Sequence, residues 1–201
     1  MSADRAKSYH HGSLRHAMIE AALRLIDEHG VDGFSLAQAA REAGVSVAAP
    51  YRHFANKRAL LNEVAIFGFD ELGQRLRAID EARSGDDVAD LIDLGLGYLD
   101  FAADRPALFV VMFVNRGRDP QSVAGLAALS VLGDAVARVA AAGRLAVPVE
   151  VAVPALWSQV HGLAMLRLGG MRTITERDDP KSRRAVLTPL LHGGILSARS
   201  E

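Results

Sequence analysis

The stretch Ala39-Ala40-Arg41-Glu42-Ala43-Gly44-Val45-Ser46 decides how this chain is read. Two helices crossing at a steep angle need a small side chain where their backbones approach, a residue that tolerates positive φ at the turn, and an apolar plug behind it. Ala40, Gly44 and Val45 supply these in order. Upstream, Ser35 can accept from the backbone N–H groups of the next turn, opening a short helix that carries Leu36, Ala39 and Ala40 inward and ends at Gly44. Downstream, Ser46 is expected to cap a third helix, Val47-Ala48-Ala49-Pro50-Tyr51-Arg52-His53-Phe54. Small side chains at its front would let that helix approach a major groove, while Tyr51, Arg52 and His53 offer donors to phosphates and base edges. A plain helical hairpin has the same spacing, so the spacing alone leaves nucleic-acid binding and simple packing both open.

Working outward, the periodicity is helical nearly everywhere. Leu14, Met18, Ala21, Ala22, Leu25 and Ile26 recur at helical spacing and stop at His29-Gly30, a basic residue followed by one suited to a left-handed cap. Asn56 can cap a fourth helix whose stripe is Leu60, Leu61, Val64 and Phe67. Beyond Arg83-Ser84-Gly85, helices are expected over 86–104, 106–115, 121–142, 150–168 and 181–191. Pro106 and Pro180 suit first turns, and Gly117, Gly143, Gly169-Gly170 and Gly193-Gly194 suit breaks. Gly95 and Gly97 fall inside a helix, a cost unless a neighbour or ligand comes close. The expected fold class is all-α: a three-helix helix-turn-helix domain over 1–60, then a larger helical domain over 61–201.

Composition narrows the function. With 201 residues, 50% hydrophobic and 23% charged, the chain suits an ordinary globular protein of one domain, or a small domain joined to a larger one. There is no cysteine, which excludes a disulfide scaffold, thiol catalysis and thiolate metal sites, and fits a reducing cytoplasm. Met1 to Lys7 is polar, unlike a secretory signal, and the longest stretch without a charge, Val151 to Leu166, contains Pro154, Gln159 and His161 and is too short to span a bilayer. A cytoplasmic location without a membrane partner is expected. The net charge of -1 argues against a phosphate backbone as partner only until it is divided. Met1 to Leu60 carries eight Lys or Arg against six Asp or Glu, and the remainder fifteen against eighteen. No G-x-S-x-G elbow, phosphate loop or H-E-x-x-H pair is present, so neither an enzyme nor a cofactor is expected. His10-His11 and His16 lack a partner ligand at fixed spacing, so no metal is expected there either. They read instead as part of an exposed, mobile arm, whose Arg5 and Lys7, with Arg15, could add phosphate contacts.

The longer string Gly44-Val45-Ser46, Tyr51, His53-Phe54, Lys57 and Leu60 resembles the DNA-binding domain of the TetR family of bacterial transcription regulators, over about Arg15 to Phe67. The resemblance implies a supporting helix over Leu36 to Ala43 and a recognition helix over Val47 to Phe54. Tyr51 would touch phosphate, Lys57 the backbone from the start of the next helix, and Phe54 would pack inward. Ser35 and Ser46 stand where hydroxyls can also face phosphate. The interface expected is therefore Ser35, Ser46, Val47, Ala48, Ala49, Tyr51, Arg52, His53 and Lys57. Two positions depart from the family pattern: Ala39, where a larger aliphatic is usual, and Pro50, which forfeits an early bond of the helix ladder.

The second part resembles a family element less strictly. Tyr98, Phe101-Ala102, Pro106, Leu108 and Met112-Phe113 look like the first half of a TetR-family sensor domain, and Trp157 with His161-Gly162, Ala164 and Leu166 looks like the signature of its Trp-His-Gly type. Such a resemblance implies a helical domain, dimeric through its last two long helices and hollow around a small molecule. Trp157, His161 and Met165 lie four apart and share a helical face, which core packing would also explain. The expected ligand pocket is Phe101, Phe109, Met112, Phe113, Trp157, His161 and Met165, apolar with one polar tip. Val186, Leu187, Leu190, Leu191 and Ile195 form the expected dimer stripe. The function expected is a ligand-responsive repressor, a homodimer bound to a near-palindromic double-stranded DNA operator and released by an apolar effector. The alternative is a helical small-molecule carrier or protein-interaction module with an incidental hairpin.

Overall fold

The computed structural model describes the backbone of residues 3–114, 123–171, 180–192 and 195–196, and their side chains except those of 3–13, 114, 180 and 190–192. Among the described residues there are eight α-helices, a short 3-10 helix and no strand. The helices are α1 (Ala3–His29), α2 (Leu36–Glu42), α3 (Lys57–Glu81), α4 (Asp87–Asp104), α5 (Pro106–Val114), α6 (Val123–Ala141), α7 (Val149–Leu168) and α8 (Pro180–His192). Helix α1 begins well before the Leu14 stripe: no proline or β-branched residue stands in 3–13 to stop it, so this backbone is helix where an arm was expected. The side chains of Arg5, Lys7, His10 and His11 lie outside the described set.

Contacts divide the chain into two units. The first holds 1–68 and 107–122, the second 69–106 and 123–201. The division falls inside α3, which runs unbroken past the boundary drawn after Leu60. In the first unit, Met18, Ala21, Ala22, Leu25 and Ile26 of α1 are buried with Leu36, Ala39 and Ala40 of α2 and Leu60, Leu61 and Val64 of α3. Helix α5 joins this unit by close packing: a Cβ at Gly68 would fall 2.6 Å from Met112 Sδ and 2.9 Å from Leu108 Cδ1.

The second unit is organised around α4, which packs on α6, α7 and α8. Its buried residues run nearly all round the helix, from Val88, Leu91 and Ile92 to Tyr98, Leu99 and Phe101, as a helix wrapped by neighbours requires. Close approach also accounts for the two helix-interior glycines. A side chain at Gly95 would meet Leu187 Cδ1 at 3.2 Å, and one at Gly97 would meet Ile79 Cδ1 at 2.2 Å. Leu187 and Ile195 are buried within the chain, so these two are not available for a dimer stripe; the side chains of Leu190 and Leu191 lie outside the described set. Helices α6 and α7 are long and apolar enough to cross a bilayer by length and composition, but they pack on α4 and on each other.

The α3–α4 turn rests on Asp90, the one charged side chain that is fully buried among the described residues. Its carboxylate accepts from the Ser84 N–H and hydroxyl, both at 2.8 Å, and from the Gly85 N–H at 3.2 Å. Burial pushes its pKa up, but these bonds and Arg138 together hold it below the usual carboxylate value. Replacing Asp90 by Ala strands two amides and should cost about 1–3 kcal/mol. Because the folded pKa is depressed, this contribution is whole above about pH 4 and fades as pH falls through the folded value. Urea unfolding of wild type and Asp90→Ala across that range should give stabilities that converge in acid.

Candidate nucleic-acid interface

Ser35 has extended backbone angles and forms a capping box: its Oγ accepts from the Gln38 N–H at 3.2 Å, and its own N–H donates to Gln38 Oε1 at 2.8 Å. The hydroxyl also donates to Gln38 Oε1 at 2.9 Å. Helix α2 ends at Glu42, and two residues on Gly44, with a φ of 71°, lets the chain reverse. The Gly44 N–H then reaches the Arg41 carbonyl and the Val45 N–H the Ala40 carbonyl, both at 3.0 Å, closing the helix end in the Schellman pattern. Arg24 ties α1 to α2 through Glu42 at 2.7 Å.

Past this turn the backbone departs from the α-helix expected over Val47 to Phe54. The chain makes a second turn, then a 3-10 helix over Pro50–Arg52. The cause is Pro50: it has no N–H to donate to the Ser46 carbonyl, so the first α-helical bond of this segment cannot form. Instead the Ala49 N–H takes that carbonyl at 3.0 Å, three residues back, and the N–H groups of His53 and Phe54 converge on the Pro50 carbonyl at 2.8 Å. Phe54 then drops into the core at 1% exposure. Burial of that ring is worth about 1.5–3 kcal/mol and anchors the far end of the segment.

The result is a polar, exposed ridge. Ser46, Val47, Ala48, Tyr51, Arg52 and His53 are all exposed, Tyr51 to 56%, while Ala49 is half-buried. Ser35 is exposed too, at the other end of α2. Lys57 behaves differently. It opens α3 just after Asn56, whose Oδ1 caps the Ala59 N–H at 3.0 Å, but its Nζ turns back to donate to the Phe34 carbonyl at 2.7 Å. The ammonium also lies 4.2 Å from the centre of the Phe34 ring. Burial lowers its pKa, with Asp32 pulling the other way. Nothing in the sequence pointed to Phe34 as its partner, because a lysine-to-carbonyl bond across 23 residues leaves no periodic trace.

The residues expected to line a ligand pocket fall in both units. Phe109, Met112 and Phe113 belong to the first, where Phe109 and Met112 are fully buried and the Phe109 and Phe113 rings stand 4.9 Å apart. Phe101 is buried on α4 in the second unit, and Trp157, His161 and Met165 are half-buried on α7. Here the structure adds Tyr98, which the sequence had marked only for its family resemblance. Its hydroxyl lies 2.9 Å from His161 Nδ1, and the His161 ring is 6.4 Å from both the Tyr98 and Trp157 rings. Burial pushes the phenol pKa well up, partly offset by a hydrogen bond from Trp157. The Tyr98 hydroxyl and His161 Nδ1 thus satisfy each other inside the unit, with the Trp157 ring beside them.

Burial lowers the His161 pKa below its ordinary value. The folded protein therefore resists a proton that the unfolded chain accepts, and this unit should lose stability as pH falls below about 6.5. The His161 imidazole signal in an NMR titration should move at lower pH than in unfolded protein. Opening the site to water by Trp157→Ala should move that midpoint back toward the unfolded value, because burial is what lowers it.

Comparison with known proteins bears on both units. A family model described as bacterial regulatory proteins, tetR family, matches residues 18–64, and one described as the tetracyclin repressor-like C-terminal domain matches 91–188. The chain is 28% identical over 98 residues to the uncharacterized HTH-type transcriptional regulator YobS of Bacillus subtilis, covering 49% of this chain and 50% of that protein. It is 40% identical over 52 residues to the class D tetracycline repressor of Escherichia coli, covering 26% and 24%. The matches thus span about half of the first relative and a quarter of the second. Among solved structures, a protein of unknown function from Rhodococcus sp. RHA1 superposes with TM-score 0.77 at 31% identity, over 93% of this chain and 98% of that one. A chain from Shewanella sp. PV-4 described as a tetR family transcription regulator gives 0.69 at 25%, over 92% and 99%.

Proposed function

Because the chain belongs to the tetR family of bacterial regulatory proteins, we propose that it is a DNA-binding transcriptional regulator, a cytoplasmic repressor that leaves its operator when a small molecule binds. The observation that carries this reading is the exposed ridge Ser46 to His53, held between a Schellman turn and the buried Phe54. Tyr51 and Arg52 present donors of the kind that phosphates and base edges accept. Ser35, Val47, Ala48, Ala49 and His53 complete the surface offered to DNA, with residues 1–60 as the DNA-binding part and 61–201 as the sensing and dimerising part.

A homodimer is the assembly that would give two such ridges and a near-palindromic operator. Support comes from α7, where Val151, Pro154, Ser158 and Leu166 are exposed at helical spacing, Val151 to 52% and Leu166 to 40%. The effector we infer is small, uncharged and mainly apolar. The buried Phe101, the half-buried Trp157 and Met165, and the hydrogen-bonded Tyr98–His161 pair favour such a molecule over an ion. We assign the sensor to the Trp-His-Gly type on Trp157, His161 and Gly162. The ligand would release DNA only as far as its affinities for the bound and released states differ.

Binding to duplexes selected from a random pool tests this reading. Wild type should prefer the selected sequence and weaken steeply with salt, and Tyr51→Ala and Arg52→Ala should each lose about tenfold. Absence of any sequence-preferring, salt-dependent binding would leave the carrier or interaction-module alternative. Sedimentation at micromolar concentration should give dimers, and the double change Val151→Arg, Leu166→Arg should give folded monomers.

A further inference from the structure

Lys57 and Phe34 bracket the helix-turn-helix. Between them lie the whole of α2, the Gly44 turn and the exposed ridge, and the bond from Lys57 Nζ to the Phe34 carbonyl joins the two ends at 2.7 Å. The enclosed chain has little of its own to hold its shape. Helix α2 has 7 residues, far fewer than an isolated helix needs, and the ridge is held mostly by bonds reaching three residues back. Phe34 and Phe54 are both buried, at 5% and 1% exposure, so the ends of this segment are seated in the core.

We propose that Lys57 is a positioning residue for the DNA-reading ridge: its ammonium clasps the Phe34 carbonyl and ring, and so closes α2, the turn and the ridge into one pre-ordered loop. The geometry is that of a charge-assisted hydrogen bond combined with a cation over a ring face, 4.2 Å from its centre. The clasp holds the ammonium half-buried, where the carbonyl and ring replace part of its hydration. Ordering the ridge before DNA arrives removes an entropic cost from binding, and the benefit is largest where base contacts need a defined ridge shape. What the ridge reads rests on the function proposed above; the clasp itself does not.

Two measurements on the intact protein decide it, with Lys57→Met, which keeps the stem and loses the charge, and Lys57→Arg, which can still donate to the carbonyl and lie over the ring. In free protein, hydrogen exchange over residues 36–54 should quicken about tenfold in Lys57→Met, with α4 unchanged and with protection restored in Lys57→Arg. On DNA, Lys57→Met should lose affinity for a selected duplex far more than for a scrambled one, because only base contacts need the ordered ridge. Unchanged exchange, or quickening that extends to α4, overturns the clasp. So does equal loss on both duplexes with a salt slope that falls by about 0.9 per lysine, the mark of a phosphate contact and nothing more. If wild type prefers neither duplex, the regulator reading fails, and the exchange data still decide the clasp.

Discussion

The N-terminal unit depends on one backbone hydrogen bond, from the Val45 N–H to the Ala40 carbonyl at 3.0 Å. It forms because Gly44 takes a φ of 71°, where a side chain would be strained. That bond reverses the chain while Ala39 and Ala40, both fully buried, allow α2 to lie close on α1. Once the direction of exit is set, the next residues have a narrow course: Pro50 prevents an α-helix from starting at Ser46, and Phe54 must reach the core. The ridge is short and exposed because these two constraints stand only four residues apart in sequence.

A comparable constraint runs the second unit. Helix α4 is packed on by α6, α7 and α8, so a polar group on its buried side must find its partner inside. Asp90 finds the amides and hydroxyl of the α3–α4 turn, and Tyr98 finds His161 on α7. The glycines at 95 and 97 belong to the same logic, since they let Leu187 and Ile79 approach the α4 backbone. Polar pairs of this kind specify register between helices, where apolar surfaces alone would tolerate sliding.

Charge tells a less simple story than its count. The excess of two basic residues in the first sixty is a weak field for a phosphate backbone. The structure commits Arg15 to Glu63, Arg24 to Glu42 and Lys57 to a carbonyl, so part of that excess serves the fold. In the proposed regulator, affinity for DNA would then lean on the shape of the ridge and on its duplication in the proposed dimer.

Much of this was legible in the residues. Ser35 and Asn56 announced helix starts, Gly44 and Gly143 announced ends, and the period-3.6 apolar pattern announced the all-α class, because caps and amphipathic stripes are local consequences of backbone geometry. The string from Gly44 to Leu60 also pointed to the family. Three things were not legible. The recognition segment looked like an α-helix because its apolar and polar positions fit one; Pro50 marked a lost ladder bond, but only the structure shows that the loss leaves a turn and a 3-10 helix. The start of α1 at residue 3 had no apolar stripe in the sequence to reveal it. The partners of Lys57 and His161 lie 23 and 63 residues away. Local chemistry thus determined which elements this chain forms and where they stop. Tertiary structure alone decided which distant groups meet, because such meetings come from how helices cross in space, and no spacing along the chain encodes them.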